Sequence, residues 1–201
     1  MPGIMKLPAE GLDLFVLPGF LTTAECAGLI SRIDADRRPS AVVDGHPDPD
    51  YRTSESCNLY SADPLVAAVE ARISSLLGIP TDNSETVQGQ RYGEGQQFKA
   101  HYDFFHTDRP SWPAQERCGG QRTWTAMAFL NQPGRGGQTC FPEAKVRVTP
   151  RTGNLLVWNN LDDGGAPNPH TLHQGLPVEA GCKYVITKWY RERRWVAPAA
   201  E

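Results

Sequence analysis

The chain has 201 residues and a formal net charge of -3, with 39% hydrophobic and 21% charged residues. That balance supplies apolar material for one folded domain and excludes disorder throughout. It also lacks the basic excess of a general nucleic-acid or anionic-membrane binder, so neither partner is expected. Glycine (19) and proline (17) are abundant, which suits short strands joined by turns better than a helical bundle. The cysteines Cys26, Cys57, Cys118, Cys140 and Cys182 are odd in number and form no C-x-x-C pair. This points away from a disulfide framework or a zinc ribbon and toward a reducing, cytoplasmic setting. Apolar runs such as 124–130 are far short of the roughly 20 residues a membrane span needs. The first apolar segment is interrupted by Pro8, Glu10, Asp13 and Pro18, unlike a secretory signal.

In chain order, Thr22 or Thr23 caps a predicted helix over 24–33, whose Leu29, Ile30 and Ile33 share one face. Residues 37–51 read as a polar loop. Asp63 and Pro64 open a second helix with Leu65, Val66, Val69, Ile73, Leu76 and Leu77 as its apolar stripe. Gly78 and Pro80 end it. From Thr86 the pattern changes to short apolar segments at 87–92, 98–104, 123–130, 145–148, 154–158, 171–176 and 183–190, separated by Gly/Pro clusters. Residues 106–121 form a long connection, expected to be a lid or unstructured. The expected architecture is a single domain, mainly β with flanking helices. A helical part at about 1–85 would pack outside an antiparallel sandwich or barrel at about 86–193.

His101-Tyr-Asp103 lies in the predicted strand 98–104. Residues two apart on a strand share a face, so an imidazole and a carboxylate stand side by side. They supply two members of a 2-His-1-carboxylate set, which suits non-haem Fe(II). The bland reading is a His–Asp hydrogen bond on a sheet. The third ligand comes from Asn168-Pro-His-Thr-Leu-His173, where His170 and His173 are three apart and face opposite ways on a strand. His173 is favoured because it begins an apolar run, whereas His170 stays in a Pro-rich loop. Lys183 opens the last apolar strand. The segment 173–183 reads as a hairpin that places His173 and Lys183 on neighbouring strands. A lysine facing into an apolar interior needs an anion, and a bound carboxylate would satisfy it. The bland reading is a solvent-facing lysine on an edge strand.

These residues, with Arg52-Thr-Ser54, Arg91-Tyr-Gly-Glu-Gly-Gln-Gln-Phe-Lys-Ala-His-Tyr-Asp103, Arg122 before Phe129-Leu-Asn131, Gly136-Gly-Gln-Thr-Cys-Phe-Pro142, His173-Gln-Gly-Leu-Pro-Val, Gly181-Cys-Lys183 and Lys188-Trp189, occur in one order. In that order the chain resembles the prolyl 4-hydroxylase family of Fe(II)/2-oxoglutarate dioxygenases. The resemblance implies a double-stranded β-helix (jelly-roll, cupin-like). It implies Fe(II) on His101, Asp103 and His173, with 2-oxoglutarate as cosubstrate, O2 as oxidant and ascorbate as accompanying reductant. Lys183, Tyr92 and Thr139 would bind the cosubstrate. Arg52, Ser54, Arg122 and Trp189 would lie in or near the substrate cleft. No catalytic residue beyond the metal ligands is implied. One departure is Phe98, where the family often carries a tyrosine. The expected activity is hydroxylation of an unactivated C–H of a prolyl residue in a peptide or protein, releasing succinate and CO2; the alternative is the same chemistry on a free amino acid or other small molecule. A catalytically silent jelly-roll and a zinc hydrolase on the same three ligands are the competing classes. The hydrolase lacks a general base beside the H-x-D and leaves Lys183 without a purpose.

Overall fold

The computed structural model describes residues 3–197. The chain begins with strands β1 (Met5–Lys6) and β2 (Leu14–Leu17), helix α1 (Thr23–Asp36), strands β3 (Arg38–Pro39) and β4 (Glu55–Leu59), and helix α2 (Pro64–Leu77). A 3-10 turn at Thr81–Asn83 leads into β5 (Val87–Tyr92) and β6 (Phe98–His101), followed by α3 (Trp112–Arg117) and β7 (Arg122–Phe129). The remainder comprises β8 (Arg135–Gly136), β9 (Thr139–Phe141), β10 (Val146–Val148), β11 (Leu155–Asn159), a 3-10 turn at Pro169–Thr171, β12 (His173–Gly175), β13 (Val178–Ala180) and β14 (Lys183–Arg191).

Local chemistry sets the helix ends. Thr22 caps α1 in a reciprocal capping box with Glu25, satisfying two otherwise orphaned amides. Asp63 accepts from Leu65 and Val66 at the start of α2, and Gly78 closes that helix in the left-handed conformation. Both helices therefore match the expected ones, with α1 running one turn further.

The strands form an eight-stranded antiparallel sheet in the order β1-β2-β11-β7-β14-β5-β4-β3, a four-stranded sheet β10-β9-β12-β6 and a small β13-β8 pair. Period-2 alternation splits the large sheet into two faces. Val87, Ala126, Ala128, Leu155, Val157, Ile186 and Tyr190 face α1 and α2 and pack with Leu29, Ile33, Val66, Val69 and Ile73. Gly89 allows this close approach, since a Cβ there would lie 2.5 Å from Ile33 Cγ1. On the other face Tyr92, Met127, Phe129, Leu156, Trp158 and Val185 meet Phe141 and Val178 in a second core. That face is the interior of the double-stranded β-helix.

Four expectations are corrected. Residues 1–85 are not purely helical: β1 to β4 belong to the large sheet, so residue 85 marks no boundary in it. Strand 98–104 stops at His101, and Asp103 lies in a bend beyond it. Residues 106–121 are not unstructured, the second of the two alternatives expected for them: they contain α3, anchored where Arg191 Nη2 donates to Gln115 Oε1 at 2.7 Å. His173 and Lys183 are not neighbours in one hairpin. β12 pairs with β6 and β9, whereas β14 pairs with β5 and β7. Intervening β13 pairs away with β8, so the chain crosses between sheets instead of folding straight back.

Candidate metal and cosubstrate site

The two imidazoles are brought together by strand register. His101 ends β6 and is the Cα partner of His173 at the start of β12. The chain then bends, and buried Gln121 pins that bend. Its Oε1 accepts from Phe105 N at 2.6 Å and its Nε2 donates to Phe105 O at 2.8 Å. Asp103 thus turns back toward both rings. His101 Nε2 lies 3.9 Å from Asp103 Oδ1, and His173 Nε2 lies 3.8 Å from Asp103 Oδ2. One donor atom from each residue lies within 4.8 Å of the other two.

The protonation pattern suits a cation. His101 Nδ1 is 2.8 Å from Lys99 O, and His173 Nδ1 is 2.9 Å from Thr171 O. A carbonyl only accepts, so each Nδ1 carries the hydrogen and each Nε2 keeps its lone pair for a metal. Burial, reinforced by His173, pushes the His101 pKa down to about 3, so the ring is neutral at ordinary pH. Burial works against charge on Asp103. The histidines, Arg122 and a hydrogen bond from Thr125 nonetheless hold its carboxyl below the usual range. His170, the other candidate ligand, packs beneath Gly11, where a Cβ would come 2.7 Å from its ring. It is not part of the cluster.

Lys183 points into the same interior from β14, on the face shared with Val185, Thr187 and Trp189. It is only 3% exposed, with Nζ 5.2 Å from the Tyr92 ring centroid and 5.6 Å from that of Phe129. No acidic side chain reaches it among the described residues, and burial lowers its pKa to about 7. Gly137 and Gly175 keep its flanks open: a Cβ at Gly137 would meet Lys183 Cδ at 3.3 Å, and one at Gly175 would meet Nζ at 3.9 Å. Tyr92 is buried, with its hydroxyl donating to Gln90 Oε1 at 3.2 Å. Thr139 Oγ1 is buried without a partner. An uncompensated buried cation and an orphaned hydroxyl beside a His2Asp donor set fit Fe(II) with a dicarboxylate such as 2-oxoglutarate.

The four residues expected near the substrate are held more firmly than free surface groups. Arg52 lies over the Phe98 ring at 4.7 Å and donates to Ala41 O, Gln88 Oε1 and Ser54 Oγ. Burial lowers its pKa, within electrostatic reach of Tyr92 and Asp103. Ser54 is buried and shares a 2.9 Å hydrogen bond with Ser40. Arg122 makes a two-point contact with Glu85 at 2.6 and 2.8 Å and stacks 4.1 Å from the Trp189 ring. Trp189 Nε1 is buried with no partner. Phe98, the departure from tyrosine, stacks on His101 with centroids 3.6 Å apart, so it supports a ligand ring in place of offering a hydroxyl.

Three contributors carry no sequence signal. Glu85 joins Arg122 to Arg191, and Thr125 and Asn160 form a buried chain to Asp103. Each stands alone in sequence, with no spacing to a ligand; only sheet pairing brings it near.

Residues 87–191 match the family described as the 2OG-Fe(II) oxygenase superfamily. Prolyl 4-hydroxylase 2 of Arabidopsis thaliana is 34% identical, over 94% of this chain and 70% of its own. The 2OG complex of the viral collagen prolyl hydroxylase from Paramecium Bursaria Chlorella virus-1 superposes with a TM-score of 0.70 at 27% identity, covering 89% of this chain and 95% of that one. A Pseudomonas putida prolyl-4-hydroxylase shares the fold, with a TM-score of 0.60 at 21% identity over 90% and 92% of the two chains.

Proposed function

Because the chain belongs to the 2OG-Fe(II) oxygenase superfamily, we propose that this dioxygenase hydroxylates an unactivated C–H bond of a prolyl residue in a peptide or protein. The observation that carries the reading is the His101–Asp103–His173 cluster in the same interior as a buried lysine that no acidic side chain among the described residues reaches. Likeness over nearly the whole chain to proteins named prolyl 4-hydroxylase and collagen prolyl hydroxylase supports the substrate class.

Iron held by His101, Asp103 and His173 would supply the oxygen activation that couples conversion of 2-oxoglutarate to succinate and CO2 with hydroxylation. The protein's part is positional. The two histidines are aimed through Nε2, and Lys183 would neutralise the distal carboxylate of the cosubstrate. Tyr92 and Thr139 offer hydroxyls beside it. The apolar walls of Phe129, Phe141 and Trp158 exclude water from the reacting centre. Arg52, Arg122 and Trp189 would orient the substrate. The five cysteines, all free, support a reducing cytoplasmic setting for the activity.

A second reading keeps the chemistry and takes a free amino acid or other small molecule. It is favoured by one contact: Ser111 Oγ donates to Asp44 Oδ2 at 2.7 Å, joining the 106–121 segment to the 37–51 loop. Succinate release measured over prolyl peptides and free amino acids separates the two. Peptide-dependent turnover is expected; turnover confined to free amino acids would overturn the peptide assignment.

A further inference from the structure

Among the described residues, Asp103 is the one metal-site residue whose side chain takes a hydrogen bond from another side chain, and that donor is itself backed by a third residue. Thr125 Oγ1 donates to Asp103 Oδ2 at 2.8 Å, and Asn160 Nδ2 donates to Thr125 Oγ1 at 2.9 Å. Thr125 and Asn160 are both fully buried. Oδ1 of Asp103 takes no hydrogen bond from the described residues.

A threonine hydroxyl has a single hydrogen. An ionised carboxylate only accepts, so that hydrogen points at Asp103. The lone pairs of Oγ1 then face Asn160, which must present its amide hydrogens. The opposite amide orientation would leave two acceptors competing for one hydrogen. Asn160 keeps its donating orientation even though its Oδ1 is buried without a partner.

The backbone holds Asn160 in place from both sides. Its N–H donates to Thr123 O at 2.7 Å, and its carbonyl accepts from Asn168 N at 3.0 Å. Asn168 O in turn accepts from Thr171 N and Thr171 Oγ1, and Thr171 O receives His173 Nδ1–H. Asn160, the residue just past β11, is therefore connected to two of the three candidate ligands.

We propose that Asn160 is a positioning residue for the metal centre, acting through Thr125 to fix the plane of the Asp103 carboxylate and to leave Oδ1 as its ligand atom. The inference rests on the reading of His101, Asp103 and His173 as metal ligands. Groups that orient metal ligands from behind typically alter metal affinity by about 10–100-fold.

The test is Mn(II) affinity of the full chain, read from the electron paramagnetic resonance signal of the free ion. The Co(II) visible spectrum serves as a second readout of ligand geometry. Thr125→Val should weaken Mn(II) binding by about tenfold or more and shift the Co(II) bands. Thr125→Ser, which keeps the hydroxyl, should restore both. Asn160→Asp replaces the donor with an acceptor that draws the Thr125 hydrogen away from Asp103. It should weaken binding although it adds an anion near a cation site, and should cause no further loss in the Thr125→Val background. Mn(II) affinity at or above wild type in Asn160→Asp, or equal losses with and without Thr125, would overturn the inference. His173→Ala separates the two levels: it should abolish binding. If it did not, the ligand assignment itself would fall, whatever the Thr125 and Asn160 variants do.

Discussion

Raising the pH through neutrality should weaken 2-oxoglutarate binding before it affects the metal. Lys183 is buried without a counter-ion, and burial brings its pKa to about 7. A carboxylate seated against it favours the charged form, so above that pH binding must recruit a proton. At pH 8 about one free molecule in eleven carries the charge, which lowers affinity by about elevenfold, or about 1.4 kcal/mol. Each further unit removes about another factor of ten until the bound-state pKa is reached, whereas below pH 6 the dependence flattens. His101 and Asp103 titrate well below this range, so neither contributes slope there. Calorimetric titration of the Mn(II)-loaded protein, in buffers of different ionisation heat at pH 6, 7 and 8, would read both affinity and proton uptake. Uptake should approach one proton at pH 8. Lys183→Arg should retain binding without the slope, because a guanidinium stays charged. Affinity independent of pH from 6 to 9, with no proton taken up, would refute the reasoning. The same lysine sets a sign for stability without cosubstrate. Between about 7 and its ordinary value of 10.5 the unfolded chain holds a proton that the folded chain has released. Stability from this group therefore rises as pH rises through that window.

Anaerobic addition of Fe(II) and 2-oxoglutarate should produce a weak visible charge-transfer band. His173→Ala should abolish it, and Lys183→Ala should instead raise the cosubstrate concentration needed to see it. Gly137→Ala should weaken 2-oxoglutarate binding more than Mn(II) binding in paired titrations. It forces a side chain into a positive-φ position 3.3 Å from Lys183 Cδ, a backbone strain of about 1–2 kcal/mol. Glu85→Gln leaves Arg122 and Arg191 without their shared, partly buried anion and should cost about 1.5–3 kcal/mol in urea unfolding. Burial opposes charge on Glu85, but the two guanidiniums hold its pKa below 4.5. Its contribution is therefore complete above that pH and is lost as the pH falls below it; the variant should flatten the acid limb of the stability profile.

Caps and stripes were legible one residue at a time. Thr22, Asp63 and Gly78 set the helix ends through hydrogen bonds to residues two to four positions away, so sequence contains both partners; Pro64 adds a fixed φ at the first helical position. β5 and β14 were legible for the same reason, since alternation needs only near neighbours. The strands missed were two- to five-residue pieces such as β4 and β9, too short to show a period and stabilised by the strands beside them. The predicted strand through Asp103 failed because a side chain eighteen residues away, Gln121, bends the chain there.

The order of His101, Asp103, His173 and Lys183, and their chemical types, were determined by the sequence alone. What joins them was decided by tertiary structure. Register between β6 and β12 sets the imidazole pair, and the crossing of the chain between two sheets puts Lys183 in the other sheet, buried beside Tyr92 and Phe129 in the same interior. Arg122 was expected in or near the substrate cleft, and what fixes its guanidinium is Glu85, thirty-seven residues earlier. Thr125 and Asn160 looked like ordinary polar residues, yet they stand behind the carboxylate. The physical reason is common to all three: a side chain's role depends on which donors and acceptors burial leaves it, and pairing between distant strands supplies those.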